Sequence, residues 1–440
     1  MAYIQRNLQE SVLQLDREYP VILISGPRGA GKTTMLRMLM ELEEALPDGS
    51  MDRESRTYVS KKPSRKKRGY VSLDDLRERD MAQNDPALFL QLHKPPLLIS
   101  EVQYAPALLP HIKKYVKKNK RPGDFWLTGS HLYELMEGAI KELGESVSLL
   151  NLFPFSLDEK RGLDYPPFKA EASSLGARER EPLSPEDYFS EIWQGCVPQI
   201  VAAEREAAPS SEDGLSFERW NEAYGKYLDS CIRKDVRDLG GGIDPIKFMR
   251  FLTAVAARTA QVLNVKAIAA EAGIDQITAK NWLGIIANIG LVFYIHPFIS
   301  EALPRGIKTP KLYFYDTGLV CYLTKWNSPE SAFSGAFAGT LFENHVISEI
   351  VKGYSHHGAF LHAGFLRDRD GAEISLILTE NGILYPIQIK LTGEPKKRHT
   401  SSFALIEKES LKRGPGVIIC RCEKIKALDS DLFAVPADFI

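Results

Sequence analysis

Short apolar runs that end in small, hydroxylated or acidic residues stand out in the first third of the chain. They are "PVILISG" at 20–26, "KPPLLISE" at 94–101 and "DFWLTGS" at 124–130. Their length and lack of polar interruption predict short buried strands. The first run leads into "KTTMLRMLMELEEAL", where Met35, Leu36, Leu39 and Met40 recur on one face of a helix. "DEKRGLDYPPFKAEASSLGARERE" and "AAEREAAPSSEDGLS" then read as polar linkers, with a helix expected at about 217–239. Three helices follow in "PIKFMRFLTAVAARTA", "NVKAIAAEAGI" (closed by Gly273) and "DQITAKNWLGIIANIG", and a wing in "LVFYIHPF". In the third helix Trp282, Leu283, Ile286 and Ile289 point inward. Gln276, Lys280, Asn281, Gly284 and Asn288 point outward. A last series, "GTLFENHVISEIV", "DGAEISLIL" and "ILYPIQIKL", runs helix, hairpin, strand.

Between the first strand and its helix lies Gly26-Pro27-Arg28-Gly29-Ala30-Gly31-Lys32-Thr33, followed by Thr34, which satisfies G-x-x-x-x-G-K-[ST] in full. Strand before and helix after are the context that this loop needs. Its glycines let backbone N–H groups close on a phosphate, and the helix N-terminus adds positive dipole. Lys32 is placed to neutralise phosphate oxygens and Thr33 to offer its hydroxyl to Mg²⁺. ATP and Mg²⁺ are the cofactors this predicts.

Composition narrows the rest. The chain has 440 residues, 44% of them apolar and 26% charged, enough for several domains with large cores. A net charge of -1 gives no whole-chain signal for nucleic acid or membrane, so a basic footprint must be local. Residues 51–70 supply one: eight basic side chains, including Lys61, Lys62, Arg65, Lys66, Lys67 and Arg68, against two acids. That run reads either as a grip on DNA phosphates or as a solvated loop. Lys113, Lys114, Lys117 and Lys118 form a second cluster at helical spacing. Five scattered cysteines without a CxxC pair suggest reduced thiols in a cytoplasmic protein. No apolar run reaches the roughly 18 residues of a membrane span.

The chain resembles the prokaryotic AAA+ family of ATP-binding proteins that carry a C-terminal domain of unknown function numbered 4143. There the second strand ends in Asp-Glu, a hydrophobic residue and Gln. Glu101, Val102 and Gln103 match, and Ser100 replaces the Asp. The resemblance implies that Glu101 orients the attacking water, and it leaves Ser100 as a neutral partner for a metal water. "LTGS" matches too, making Thr128 or Ser130 the candidate γ-phosphate sensor, or else a helix cap. Departures include Glu145, where the family carries Arg, and Cys196 and Val197 within a Gly-Gly-Tyr-Pro segment. Arg233 falls on an Arg-Asp family pattern. Lys308, Lys311, Asp316 and Gly318 are further matches without an assigned reaction; Asp316 also suits a helix cap.

Residues 246–299 look like a winged helix-turn-helix, whose last helix enters a DNA major groove or serves a protein contact. Lys280 and Asn281 are its nucleic-acid candidates. The last series resembles a PD-(D/E)xK nuclease core in which Glu343, Glu373 and Lys390 are kept. Ser375 and Gln388 replace the motif acids, so metal-dependent cleavage is not expected.

The sequence therefore predicts an α/β protein: a P-loop NTPase domain with an AAA+/RecA-like parallel sheet at 1–158 (basic insertion at about 49–69), a linker and helical segment at 159–245, a winged helix at 246–330 and a small α/β nuclease-like domain at 331–440. It predicts ATP binding and slow hydrolysis coupled to the later modules and directed at DNA. The alternative is a nucleotide-gated scaffold for a protein partner with little hydrolysis. An oligomer fits either reading.

Overall fold

The computed structural model describes residues 3–45, 50–52, 57–59, 67–178, 180–207, 216–236, 242–299, 306–407 and 409–440. The three apolar runs form strands of one parallel sheet, with β1 at Val21–Ser25, β2 at Gly69–Ser72, β3 at Leu97–Ser100, β4 at Phe125–Gly129 and β5 at Val147–Asn151. The sheet order is β2-β3-β4-β1-β5, with every pairing parallel. Parallel strands need covered faces. The P-loop helix α1 (Lys32–Ala45) brings Met35, Leu36 and Leu39 against Ile22 and Ile24 on one face. Helices α2 (Leu108–Asn119) and α3 (Leu132–Leu143) cover the other, through Ile112, Val116, Leu135 and Ala139 against Leu23, Ile99 and Leu127. The loops at the carboxyl ends of β1, β3 and β4 therefore share one edge, where open α/β sheets bind ligands.

The middle of the chain is more ordered than a polar linker. Phe168, Leu175 and Arg178 are buried, and Arg178 Nη1 donates to the carbonyl of Phe439 at 3.0 Å. Two short apolar anchors in a polar stretch are enough to dock it. Helices α4 (Pro198–Ala207) and α5 (Phe217–Ser230) follow, and α5 ends in a π-helical turn, Cys231–Val236, rather than continuing. Then come α6 (Pro245–Ala256), the short strand β6 (Gln261–Val262), α7 (Val265–Ala272), α8 (Gln276–Asn288), β7 (Val292–Ile295) and β8 (Lys311–Phe314). β8 is the central strand of an antiparallel sheet ordered β6-β8-β7.

Helix α9 (Thr317–Thr324) and the long α10 (Ala338–His356) lead into a mixed sheet. Its strands are β9 (Ala363–Arg367), β10 (Glu373–Glu380), β11 (Ile383–Ile389), β12 (Gly416–Cys420), β13 (Lys426–Asp429) and β14 (Leu432–Pro436). They are ordered β9-β10-β11-β12-β14-β13, with Lys412–Arg413 beside β11. Helix α10 packs on one face through Leu341, Phe342, Val346 and Ile350. Phe403 and Ile406 close the other against Leu384, Ile418 and Cys420.

The basic insertion divides. Lys61, Lys62, Arg65 and Lys66 lie outside the described residues. Lys67 is exposed. Arg68 is a correction: it is 4% exposed, stacks 3.7 Å above the Trp126 ring and lies 3.3 Å from Asp16 Oδ1. Its Nη1 donates to the Gly123 carbonyl at 3.0 Å. A guanidinium used up by an aromatic face and an acid is a core element, not a phosphate grip. Arg68→Ala should lower the unfolding free energy by about 3 kcal/mol by removing the countercharge of Asp16, which keeps the Trp126 N–H at 2.8 Å; urea denaturation of variant and wild type measures it.

Candidate functional site

The apolar run of β1 stops at Ser25, and Gly26 turns the chain at φ +155°. A Cβ there would sit 2.0 Å from the carbonyl oxygen of Leu152, so only glycine fits. Gly29 and Gly31 also take positive φ, +78° and +92°. The loop closes over Lys32, whose Nζ donates to the carbonyls of Gly26 at 2.7 Å and Pro27 at 2.9 Å. Lys32 is 4% exposed, and burial pulls its pKa down to about 8, with Glu101 opposing that shift and Arg28 adding to it. An ammonium held by carbonyl dipoles at the mouth of a glycine loop is suited to an anion.

Beside the loop lies an open cleft of about 600 Å³, lined by Arg28, Lys32, Thr33, Thr34, Glu101 and, from α4, Pro198 and Gln199. Glu101 holds a left-handed backbone at φ 59°, unusual for a residue with a Cβ and a conformation that clusters at functional sites. Gln103 Nε2 donates to its Oε2 at 2.7 Å and Ser130 Oγ at 3.0 Å. Burial raises its pKa, but Lys32, the Gln103 hydrogen bond and Arg28 outweigh burial and leave it below the ordinary carboxylate range. Glu101 is thus an aimed, ionised carboxylate.

Gly26 to Thr34 and Glu101 come together. Ser130 joins them through Glu101. Thr128 is fully buried, and its Oγ1 has no hydrogen-bond partner among the described residues. Ser100 is buried and lies 3.4 Å from the Tyr70 hydroxyl. Glu145 is exposed, and the Arg233 side chain lies outside the described residues. Among the described residues no three His, Cys, Asp or Glu converge on a metal position. A divalent ion here fits Thr33, phosphate oxygens and water rather than a carboxylate cage.

On α8, Lys280 and Asn281 are exposed, as expected of an outward face. Asn288 is not: its Oδ1 accepts the Tyr133 N–H at 2.9 Å and so satisfies an N-terminal donor of α3. Gly290 just beyond would bring a Cβ to 3.1 Å from both Leu132 and Pro27, so α8 ends against the phosphate loop itself. A cavity of about 680 Å³ remains between Tyr133 and the Lys280–Ile285 face.

The residues expected to form a nuclease-like site are engaged by different partners. Glu343 and Glu373 meet through Lys311, whose Nζ donates to each at 2.7 Å. Gln388 lies between Ile387 and Ile389, which both face α10, so strand alternation turns it to the opposite face. There Ser402 Oγ donates to its Oε1 at 3.5 Å. Ser375 Oγ accepts the Ile389 N–H at 3.3 Å, and Lys390 is exposed. Asp316 caps α9 and also accepts the Cys196 and Val197 N–H groups and the Tyr224 hydroxyl, a structural knot rather than a reactive group.

Sequence reasoning missed three contributors. Arg6 Nη1 donates to the loop carbonyl of Ala30 at 2.7 Å, with Glu159 behind it at 3.1 Å. Asp235 binds Arg28 through both oxygens, at 2.9 and 3.1 Å. His356 lies 3.1 Å from Glu159. Each is distant in sequence from the loop. The remaining signal was charge within apolar surroundings, as for His356 at the end of α10.

The parallel sheet with its phosphate loop defines an AAA-type, ATPase-like fold. Residues 18–160 match the family model described as an AAA domain, 185–330 a domain of unknown function, DUF8612, and 338–440 another, DUF4143. An AAA domain match at the N-terminal end and a DUF4143 match at the C-terminal end are together the arrangement of an AAA-family ATP-binding protein with a C-terminal DUF4143 domain. Two curated relatives are uncharacterized proteins of Mycobacterium bovis and Mycobacterium tuberculosis. Each is 23% identical over 423 residues, covering 96% of this chain and 81% of its own. A Walker-type ATPase of Pyrococcus abyssi is 13% identical, covers 73% of this chain and 96% of its own, and gives a TM-score of 0.43. A STAND protein with a tetratricopeptide repeat sensor from Pyrococcus horikoshii is 13% identical, covers 80% of this chain and 47% of its own, and gives 0.23. No described helix is long and apolar enough to cross a membrane.

A pH dependence follows from Lys32. Its charged form binds phosphate, so affinity for a non-hydrolysable ATP analogue should hold near pH 7. It should fall as pH passes about 8, approaching a tenfold loss per unit. The folding term has the opposite sign. A lysine depressed from 10.5 to about 8 costs stability at low pH, and that cost is relieved between those two values. Fluorescence titration at several pH values checks the first, and denaturation of the nucleotide-free protein the second.

Proposed function

We propose that this chain binds ATP in the cleft beside Lys32 and hydrolyses it slowly, passing the nucleotide state to the modules behind it. The observation that carries the reading is the carboxylate of Glu101, which lines the cleft and is held through Oε2 by Gln103 and Ser130. Lys32 would turn from its two carbonyls to the β- and γ-phosphate oxygens. Glu101 would accept a hydrogen bond from the attacking water. Ser130, tied to Glu101, would report the γ-phosphate. Mg²⁺ held by Thr33 and approached by Ser100 would supply charge to the phosphate oxygens when bound. Ser100 brings no charge, which is why the turnover is read as slow.

Two contacts support the coupling. The end of α8 touches both Pro27 and α3, and Arg6 links Ala30 to Glu159 and thence to α10. We read residues 245–314 as a winged helix, on the order helix, strand, two helices and two strands. We read 338–440 as a nuclease-like core without cleavage, because Lys311 sits between Glu343 and Glu373, where a metal ion would have to be held. DNA is the target this reading favours, with Lys280 and Asn281 as the exposed contacts on α8. The burial of Asn288 favours the second reading, in which α8 relays the nucleotide state to a protein partner.

Steady-state turnover of wild type against Glu101→Gln tests the proposal. Slow hydrolysis should fall by at least about 100-fold in the variant while analogue affinity is kept. Wild type that binds the analogue but turns over no faster than Glu101→Gln would leave the scaffold reading. For DNA, Lys280→Ala should reduce the slope of log affinity against log salt by about 0.9 if Lys280 meets a phosphate; an unchanged slope removes it from the interface.

A further inference from the structure

Arg28 belongs to the phosphate loop, and three residues from two separate segments hold its guanidinium. Nε donates to Asp235 Oδ1 and Oδ2 at 2.9 and 3.1 Å. Nη2 donates to the Tyr104 hydroxyl at 3.2 Å and lies 3.7 Å from Glu101 Oε2. The side chain is 14% exposed, and its open part lines the cleft with Lys32 and Thr33. Nη1 has no hydrogen-bond partner among the described residues. A free arginine on a loop keeps its rotamer freedom. Here that freedom is removed in advance, so an oriented cation stands beside the acid that aims the water. Asp235 comes from outside the AAA domain, in the π-helical turn Cys231–Val236, and such turns occur often at functional sites.

Resting on the hydrolysis reading above, we propose that Arg28 neutralises the charge that develops on the transferred phosphoryl group, and that Asp235 is its positioning residue. In that step the water oxygen bonds to the γ-phosphorus. The bond from the γ-phosphorus to the β,γ-bridging oxygen breaks, and its electron pair leaves with ADP. One water proton passes by way of Glu101 to the released phosphate. Arg28 Nη1 donates to an equatorial oxygen throughout, and its hold on Asp235 spares the reorganisation that a mobile side chain would require. The cation is thus supplied by this chain's own loop, while its orientation depends on the DUF8612 segment.

The test compares wild type, Arg28→Ala, Arg28→Lys, Asp235→Asn and Glu101→Gln by ATP turnover, by titration with a non-hydrolysable ATP analogue and by titration with MgADP plus aluminium fluoride. Arg28→Ala should lower kcat roughly 100-fold, with analogue affinity changed by less than about threefold. It should also lose the tighter binding that aluminium fluoride confers on MgADP, a readout that needs no turnover. Arg28→Lys should recover part of both, and melting curves show whether each variant is folded. Asp235→Asn should lower kcat about tenfold, and combined with Arg28→Ala should cost nothing further. Arg28→Ala with kcat within about twofold of wild type, while Glu101→Gln is inactive, would overturn this proposal and leave the hydrolysis reading intact. Wild type that binds the analogue but neither turns over ATP nor gains affinity for MgADP from aluminium fluoride would sink both.

Discussion

The buried guanidinium of Arg6 is the constraint from which the rest of the structure hangs. It is 2% exposed, and its contacts include the Ala30 carbonyl in the phosphate loop, the Phe153 carbonyl beyond β5, Glu159, His356 Nε2 at 3.5 Å and the face of Phe155 at 4.5 Å. Burying such a cation is costly unless every donor is answered. Glu159 answers it, and burial alone would raise that carboxyl, but Arg6 and His356 hold it well below the usual range. His356 closes α10, and its Nε2 accepts the Phe153 N–H at 3.2 Å. One charge therefore ties the loop, the sheet edge and the C-terminal domain together.

The same helix carries the rest of that seam. Glu349 accepts the Leu157 N–H at 2.7 Å, and Lys352 donates to the Phe155 carbonyl at 3.0 Å. Residues 349, 352 and 356 share one face of α10 at helical spacing. The segment leaving β5 thus finds its backbone partners on α10 rather than in water. Polar groups of this kind resist sliding, because any shift leaves a buried donor or acceptor unmet. That gives the AAA domain and the DUF4143 domain a fixed register, against which movement of the phosphate loop would be felt.

The legible part of this molecule was local. The glycine loop, its strand and its helix announce themselves because one short pattern carries both a conformation and a charge. Likewise Gly273 and the inward face of α8 are written in spacing alone. What stayed hidden depends on sequence-distant pairing. Nothing near Arg28 hints at Asp235, and Arg6 reads as one more residue of an amphipathic start. Arg68 was misread as part of a basic run, since the residues before it in the sequence are basic and its partner Trp126 comes much later. The C-terminal series was legible only in its order, for a related reason. A one-dimensional order of acids and lysine says nothing about which side of a sheet each faces, and a register shift between Gly364 and Leu366 adds a further irregularity. Phe168 and Leu175 show the converse, in which two apolar residues in a polar stretch escape a composition average yet anchor it.

Lys311 has a last consequence. Its ammonium joins Glu343 on α10 to Glu373 on β10 from the central strand of a neighbouring sheet, with Tyr313 donating to Glu343 at 3.0 Å and Arg367 lying 3.4 Å from Glu373. A cation that is covalently part of the chain has no dissociation rate. The junction it makes cannot be emptied by a chelator or exchanged for another ion, and its strength does not track the cell's supply of magnesium. The cleft beside Lys32, by contrast, is left open to the composition of its surroundings.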